Sequence, residues 1–170
     1  MSMHLASRER LQPSLLDRLT DNAPGTLREA QDQQVLSFAT LREAVLRDLA
    51  WLLNTTNLAT TTDMEDIKHV ATSTLNYGIP GFAGLMASND RARALEGAIA
   101  DAIRCFEPRI DPHSLKVRAR AAGGGDRSTA LVFEIHGELW AQPVPKLLFL
   151  ETAIELETRL AVVRDARPRA

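Results

Sequence analysis

The apolar residues of this chain change period part-way along it. In two stretches between Leu41 and Phe106 they recur at spacings of three and four, and from Leu115 to Leu139 they fall on alternate positions. The first spacing lines one stripe of a helix and the second lines one face of a strand. Helices first and strands after predict an α+β fold, with N-terminal helices packed on a C-terminal, mostly antiparallel sheet of about four strands.

The best helical stretch is "LREAVLRDLAWLL", where Leu41, Val45, Leu49 and Leu52 share a stripe and Arg42, Glu43, Arg47 and Asp48 lie largely elsewhere. Thr40 with Glu43 forms a capping-box pattern, which predicts the helix start at Thr40. The same pentad, "TLREA", also occurs at 26–30. No strongly periodic apolar run follows that copy, and two copies do not make a solenoid. "NTTNLATTTD" ends the helix because threonine and asparagine side chains compete for its backbone bonds.

Upstream, Leu11, Leu15, Leu16 and Leu19 predict a short amphipathic helix that Pro24-Gly25 stops. Residues 23–39 then read as a polar, glutamine-rich connector. Downstream, Gly78, Pro80, Gly81 and Gly84 make "VATSTLNYGIPGFAG" an ordered turn or loop. A further helix begins at Ser88 or Asn89 and carries Leu95, Ile99, Ile103 and Phe106. Pro108 ends it by disfavouring the helical region for Glu107.

In "SLKVRARA" the residues Leu115, Val117 and Ala119 alternate with Lys116, Arg118 and Arg120, and in "ALVFEIHGEL" Leu131, Phe133, Ile135 and Leu139 alternate with Val132, Glu134, His136 and Glu138. A register with Val117 facing Phe133, Leu115 facing Ile135 and Ala119 facing Leu131 satisfies every apolar position. It sets Lys116 opposite Glu134 on the other face. "KLLFLETAI" and "RLAVV" predict a last pair of strands joined around "ELET".

The chain has 170 residues, 45% of them hydrophobic, which suits one domain with a real core. We expect a flexible start over 1–10, a single domain over 11–163 and a flexible basic tail over 164–170. A formal charge of -2 gives no field toward nucleic acid or anionic lipid. The chain shows neither a signal-peptide core nor an apolar run of about 18 residues, so direct membrane insertion is not expected. Cys105 is the only cysteine, which excludes an intrachain disulfide and makes a cytoplasmic setting the default. The four histidines lack metal-ligand spacing, so neither metal nor other cofactor is expected.

Candidate chemistry is sparse. Lys116, Arg118 and Arg120 form a basic stripe, but Glu134 and Glu138 oppose it, and a solvated cross-strand charge face accounts for both. The Gly123–Gly125 run lacks the lysine and hydroxyl of a phosphate loop. Glu107 beside Phe106, with Glu134 or Glu138, would be the carboxylate pair of a glycosidase, yet no spacing requires them to meet. Cys105, on a helix end amid apolar neighbours, is no activated nucleophile.

Glu107 and Arg109 stand out for another reason. Either side of the stiff Pro108 on an extended segment, they project to the same side as a two-charge fork. From the residues alone the first reading is a helix exit carrying exposed charges, and the alternative is a preorganised recognition element.

Five strings, "LLDRLTD", "LREAVLRDLAWLLNT", "TLNYGIPG", "FEPRI" and "FLETAIELET", occur in the order seen in the TssE family, and the resemblance covers roughly residues 11–163. TssE is the type VI secretion baseplate subunit related to the contractile-phage baseplate wedge protein and sheath initiator. The resemblance implies a non-catalytic assembly role in the cytoplasm, at the baseplate. It implies contact with the TssF and TssG wedge subunits and initiation of the TssB/TssC sheath by strand addition.

The family's Glu-Pro-Arg motif, associated with the wedge contact, falls on Glu107, Pro108 and Arg109. Asn76, Tyr77 and Gly78 are candidates to shape the neighbouring loop. Some relatives carry a lysozyme-like label, so peptidoglycan hydrolysis using Glu107 is the alternative. The chain departs from the family pattern at "NTT", at "IPG" and at Arg159, where a glycine is usual.

Overall fold

The computed structural model describes residues 14–20, 38–81, 89–120, 130–139, 146–155 and 160–166. Helix α1 spans Leu15–Leu19, α2 Phe38–Leu53, α3 Lys68–Ala71 and α4 Asn89–Phe106. Strands β1 (Lys116–Arg120), β2 (Ala130–Leu139), β3 (Lys146–Glu155) and β4 (Ala161–Asp165) follow. The α+β order read from the change of period is the observed one.

Helix α2 buries the predicted stripe, Leu41, Val45, Leu49 and Leu52, together with Ala44 and Leu53. It begins at Phe38, so Thr40 lies inside the first turn and is not its cap. The capping-box pattern misplaced the start because Phe38 and Ala39 are themselves compatible with helix. Helix α4 begins at Asn89 as expected and buries Leu95, Ile99 and Ile103, with Phe106 partly covered. The stretch read as one ordered loop takes in the end of α3 and a 3-10 turn at Thr74–Asn76.

The four strands pair antiparallel in sequence order, β1-β2-β3-β4. Phe133, Ile135, Leu139, Leu148, Leu150, Ile154 and Ala161 are buried on one face. Helix α4 packs against β1 and α2 against β4, and the two helices touch, which closes a single core. The β1-β2 register differs from the expected one: Val117 faces Ile135, Ala119 faces Phe133, Lys116 faces His136 and Arg118 faces Glu134. The shift is two residues. A two-residue slip leaves every side chain on its own face, so alternation alone cannot choose between the registers. The charge face survives with altered partners, Arg120 lying 3.5 Å from Glu134 and 3.8 Å from Glu151.

Both sheet edges carry side-chain contacts. Asn54, read from sequence only as a polar helix exit, donates to Ala161 O at 2.9 Å and accepts from Ala161 N at 2.9 Å. It thereby occupies one residue of the β4 edge in the way a neighbouring strand would. Arg42 pairs with Asp165 further along the same edge. On the opposite edge Ala119 N donates to Glu96 Oε1 at 2.5 Å.

Within the core, Thr152 is fully buried and its hydroxyl finds no partner among the described residues. An unpaired buried hydroxyl costs about 1–3 kcal/mol, so Thr152→Val is expected to stabilise the fold by about 1 kcal/mol, measured by urea unfolding. The "TLREA" copy at 26–30, the triglycine run and Arg159 lie outside the described residues.

Candidate functional site

Helix α4 ends at Phe106, but Glu107 still gives its N–H to Ile103 O at 2.9 Å. Pro108 has no N–H to lose, and its fixed φ suits the second position of a β-turn. The turn closes with Ile110 N donating to Glu107 O at 3.1 Å. Residues 107–109 are therefore a turn where an extended segment was expected, and the turn folds Arg109 back over Glu107.

The two charges do lie on the same side, and they grip each other. Arg109 Nε donates to Glu107 Oε1 at 2.6 Å, Arg109 Nη2 to Glu107 Oε2 at 2.5 Å, and the Arg109 N–H to Glu107 Oε1 at 3.2 Å. Arg109 Nη2 also donates to Asp48 Oδ2 of α2 at 2.6 Å. The Glu107 side chain is 3% exposed and that of Arg109 22%. Of the pair, Arg109 is the member that reaches solvent, and Glu107 holds it. Burial by itself would lower the Arg109 pKa, but hydrogen bonds and charges from Glu107 and then Asp48 outweigh it and raise the value.

The chain of charges continues along α2. Arg47 contacts Asp48 at 2.8 Å, bonds Asp17 of α1 at 2.7 Å and lies 5.1 Å over the Trp51 ring. Burial alone would raise the Asp17 pKa. Hydrogen bonds from Arg47 and Ser14, with the charges of Arg47 and Arg109, hold it below its ordinary value.

The sign follows from linkage. A depressed carboxylate favours the folded arrangement above its ordinary value of 3.8 and loses that contribution as pH falls through the lower, folded value. Amide-exchange protection of Thr20, which donates to Leu16 O at 3.0 Å, is expected to hold steady near neutrality and to fall below about pH 4.

Of the loop residues Asn76, Tyr77 and Gly78, Tyr77 reaches this cluster and the other two hold the loop that carries it. Asn76 is buried, accepts from Ala59 N at 2.8 Å and donates to Ala71 O at 2.8 Å. Its role is to tie two loop segments together. Tyr77 packs edge-on against Phe106 with ring centroids 5.2 Å apart, and its hydroxyl donates to Asp48 O at 3.4 Å. Burial, then the charges of Asp48 and Glu107, push its phenol above the usual range. Gly78 has φ of 121°, and a Cβ there would sit 2.3 Å from Thr55 O. That close approach lets Ile79 N donate to Thr55 O at 2.9 Å and Asn57 N to Ile79 O at 3.0 Å, so the two loops are zipped together.

The structure places Glu107, Pro108 and Arg109, named from the sequence, in one turn with Tyr77 beside it, and joins to them Asp48, Arg47 and Asp17, which the sequence reading did not single out. Asp48 lies 61 residues from Arg109 in the chain. Its only signature was a charge off the apolar stripe, shared with Arg42, Glu43 and Arg47. Cys105 is exposed, with its thiol 3.4 Å from Thr72 O, so it is not amid apolar neighbours as expected. Among the described residues no three metal-ligating side chains gather, and no helix is long and apolar enough to cross a membrane.

The sequence model of the family described as "Baseplate wedge protein gp25" matches residues 39–144, well over half of the chain. The chain belongs to that family. No curated protein matches it significantly. Membership of the gp25 family carries a structural baseplate role, and it bears out the resemblance read from the five strings. The match takes in nearly all of α2 with Asp48, the 76–78 loop, the Glu107–Arg109 turn, β1 and β2. Helix α1 precedes the matched region, and β3 and β4 follow it.

Proposed function

We propose that this gp25-family protein is the non-catalytic TssE-type subunit of a type VI secretion baseplate, acting on the cytoplasmic side of the inner membrane. In this reading it binds the TssF and TssG wedge subunits through the Glu107-Pro108-Arg109 turn and starts assembly of the TssB/TssC sheath. The observation that carries the reading is the preset guanidinium. Arg109 is held by bonds to Glu107 and Asp48, its side chain is 22% exposed and its Nη1 is buried without a partner among the described residues, so presenting the side chain to a partner costs little ordering. Pro108, exposed at the tip of the turn, keeps the backbone rigid. Tyr77 supports it from the side through Phe106 and Asp48 O, and Asn76 and Gly78 fix the loop that carries Tyr77.

The sheath role has its own support. The ladder turns Leu160 and Ala166 inward to β3, through Glu155 N to Leu160 O and Ala166 N to Phe149 O. By alternation the backbone groups of Ala161, Val163 and Asp165 face away from β3. Asn54 occupies those of Ala161, so strand addition at this edge would run along Val163 and Asp165.

The hydrolase reading fares poorly. A glycosidase acid must touch its substrate, whereas Glu107 is 3% exposed and both its oxygens accept from Arg109. The test is co-elution of the protein with purified TssF–TssG, alongside a peptidoglycan turnover assay. Co-elution without turnover is the expected result. Turnover that disappears in Glu107→Gln would replace this reading with hydrolysis.

A further inference from the structure

Helix α1 is arranged the wrong way round for a helix packed on a core. Leu15, Leu16 and Leu19 are 70%, 45% and 74% exposed, while the Asp17 side chain is 17% exposed and turned to Arg47. A helix held only for its apolar stripe would bury the leucines and leave the aspartate in water. Here Asp17, capped locally by Ser14, anchors the helix through a charge, and the leucines face out.

We infer that α1 is a docking element whose leucine face and the Glu107–Arg109 turn form one composite surface for the same wedge partner, which must offer an apolar groove beside its contact for Arg109. The inference rests on the proposed wedge contact. Two observations carry it. The first is continuity: consecutive contacts link Asp17 to Arg47, Asp48, Arg109 and Glu107, each 2.8 Å or shorter, so α1 adjoins the charged turn. Asp17 lies within electrostatic range of Arg109 itself.

The second is area. Three leucines offer on the order of 300 Å², against about 800 Å² per side in a standard interface, so this face needs a neighbouring contact to hold a partner. For the same reason a second copy of the chain meeting α1 to α1 is too small a contact to be stable.

The experiment titrates full-length protein against purified TssF–TssG, and separately against mixed phosphatidylcholine and phosphatidylglycerol vesicles, with mass measured by light scattering. Leu15→Gln/Leu19→Gln keeps helix propensity and the Asp17 anchor. It is expected to bind the wedge at least about tenfold more weakly, with an unchanged melting temperature. Asp17→Asn, which loosens the anchor and leaves the leucines, is expected to weaken binding by a smaller factor.

Wild type and the leucine variant binding equally would overturn the inference and leave the wedge contact standing. Wild type failing to bind would bring down both. Loss of vesicle binding, or of a wild-type dimer, with wedge affinity retained would assign the face to lipid or to a second copy and overturn the inference.

Discussion

Glu107→Ala is expected to lower folding stability by about 3 kcal/mol, the low end for breaking a buried ion pair because Arg109 keeps Asp48 and some solvent. The substitution removes three bonds at once: two to the guanidinium and one to the Arg109 N–H. It also strands Arg109 Nε, whose acceptor is Glu107 Oε1. For a chain of this length the loss corresponds to a fall in melting temperature on the order of 10 °C. Glu107→Gln keeps a carbonyl acceptor for Nε and is expected to cost only about 1–2 kcal/mol. If Glu107→Ala unfolds within about 0.5 kcal/mol of wild type in urea, the pair is not holding the turn.

Gly78→Ala is the second large effect, and its cause is steric. At φ of 121° an L side chain is strained, and the added Cβ would lie 2.3 Å from Thr55 O, a backbone atom that no rotamer change can move. Relief requires separating the loops at 55–57 and 78–79, which breaks the bonds Ile79 N to Thr55 O and Asn57 N to Ile79 O. The expected loss is at least about 3 kcal/mol. It should be accompanied by weaker near-ultraviolet circular dichroism as Tyr77 leaves the edge of Phe106. A melting temperature within about 2 °C of wild type would show that the loop takes up the methyl group without opening.

What could be read from the chain divides along a physical line. Local rules located α4, its end before Pro108 and the stripe of α2, because periodicity and proline chemistry act within a few residues. They also paired β1 with β2 on the correct faces. They could not choose between registers two residues apart, since the apolar pattern repeats every two, and the observed Val117–Ile135 pairing is as apolar as the expected one.

Contacts between distant positions left no trace. Asp48 with Arg109 and Asn54 with Ala161, separated by 61 and 107 residues, are ordinary polar residues on a helix and at its exit. Helix α1 misled in the opposite direction. Its leucine spacing is genuine, but a spacing does not say whether the stripe meets this chain's core or something else. At the site, the two charges and the stiff spacer were visible. That Glu107 is sealed beneath Arg109 followed only from the turn, which the expected extended geometry had replaced.

The geometry also decides how the central claim is best tested. Reversing both charges would set a carboxylate at position 109 against Asp48, so a failure to bind would report repulsion within the fold. Glu107→Gln/Arg109→Gln avoids this, because two amides can replace a charged pair with a neutral hydrogen bond at similar volume. The decisive measurement is the affinity of this double variant for purified TssF–TssG, with its fold checked by circular dichroism and thermal melting. The account predicts a folded protein that binds at least about tenfold more weakly than wild type, as expected when a central arginine anchor is lost. A folded variant with wild-type affinity would contradict it.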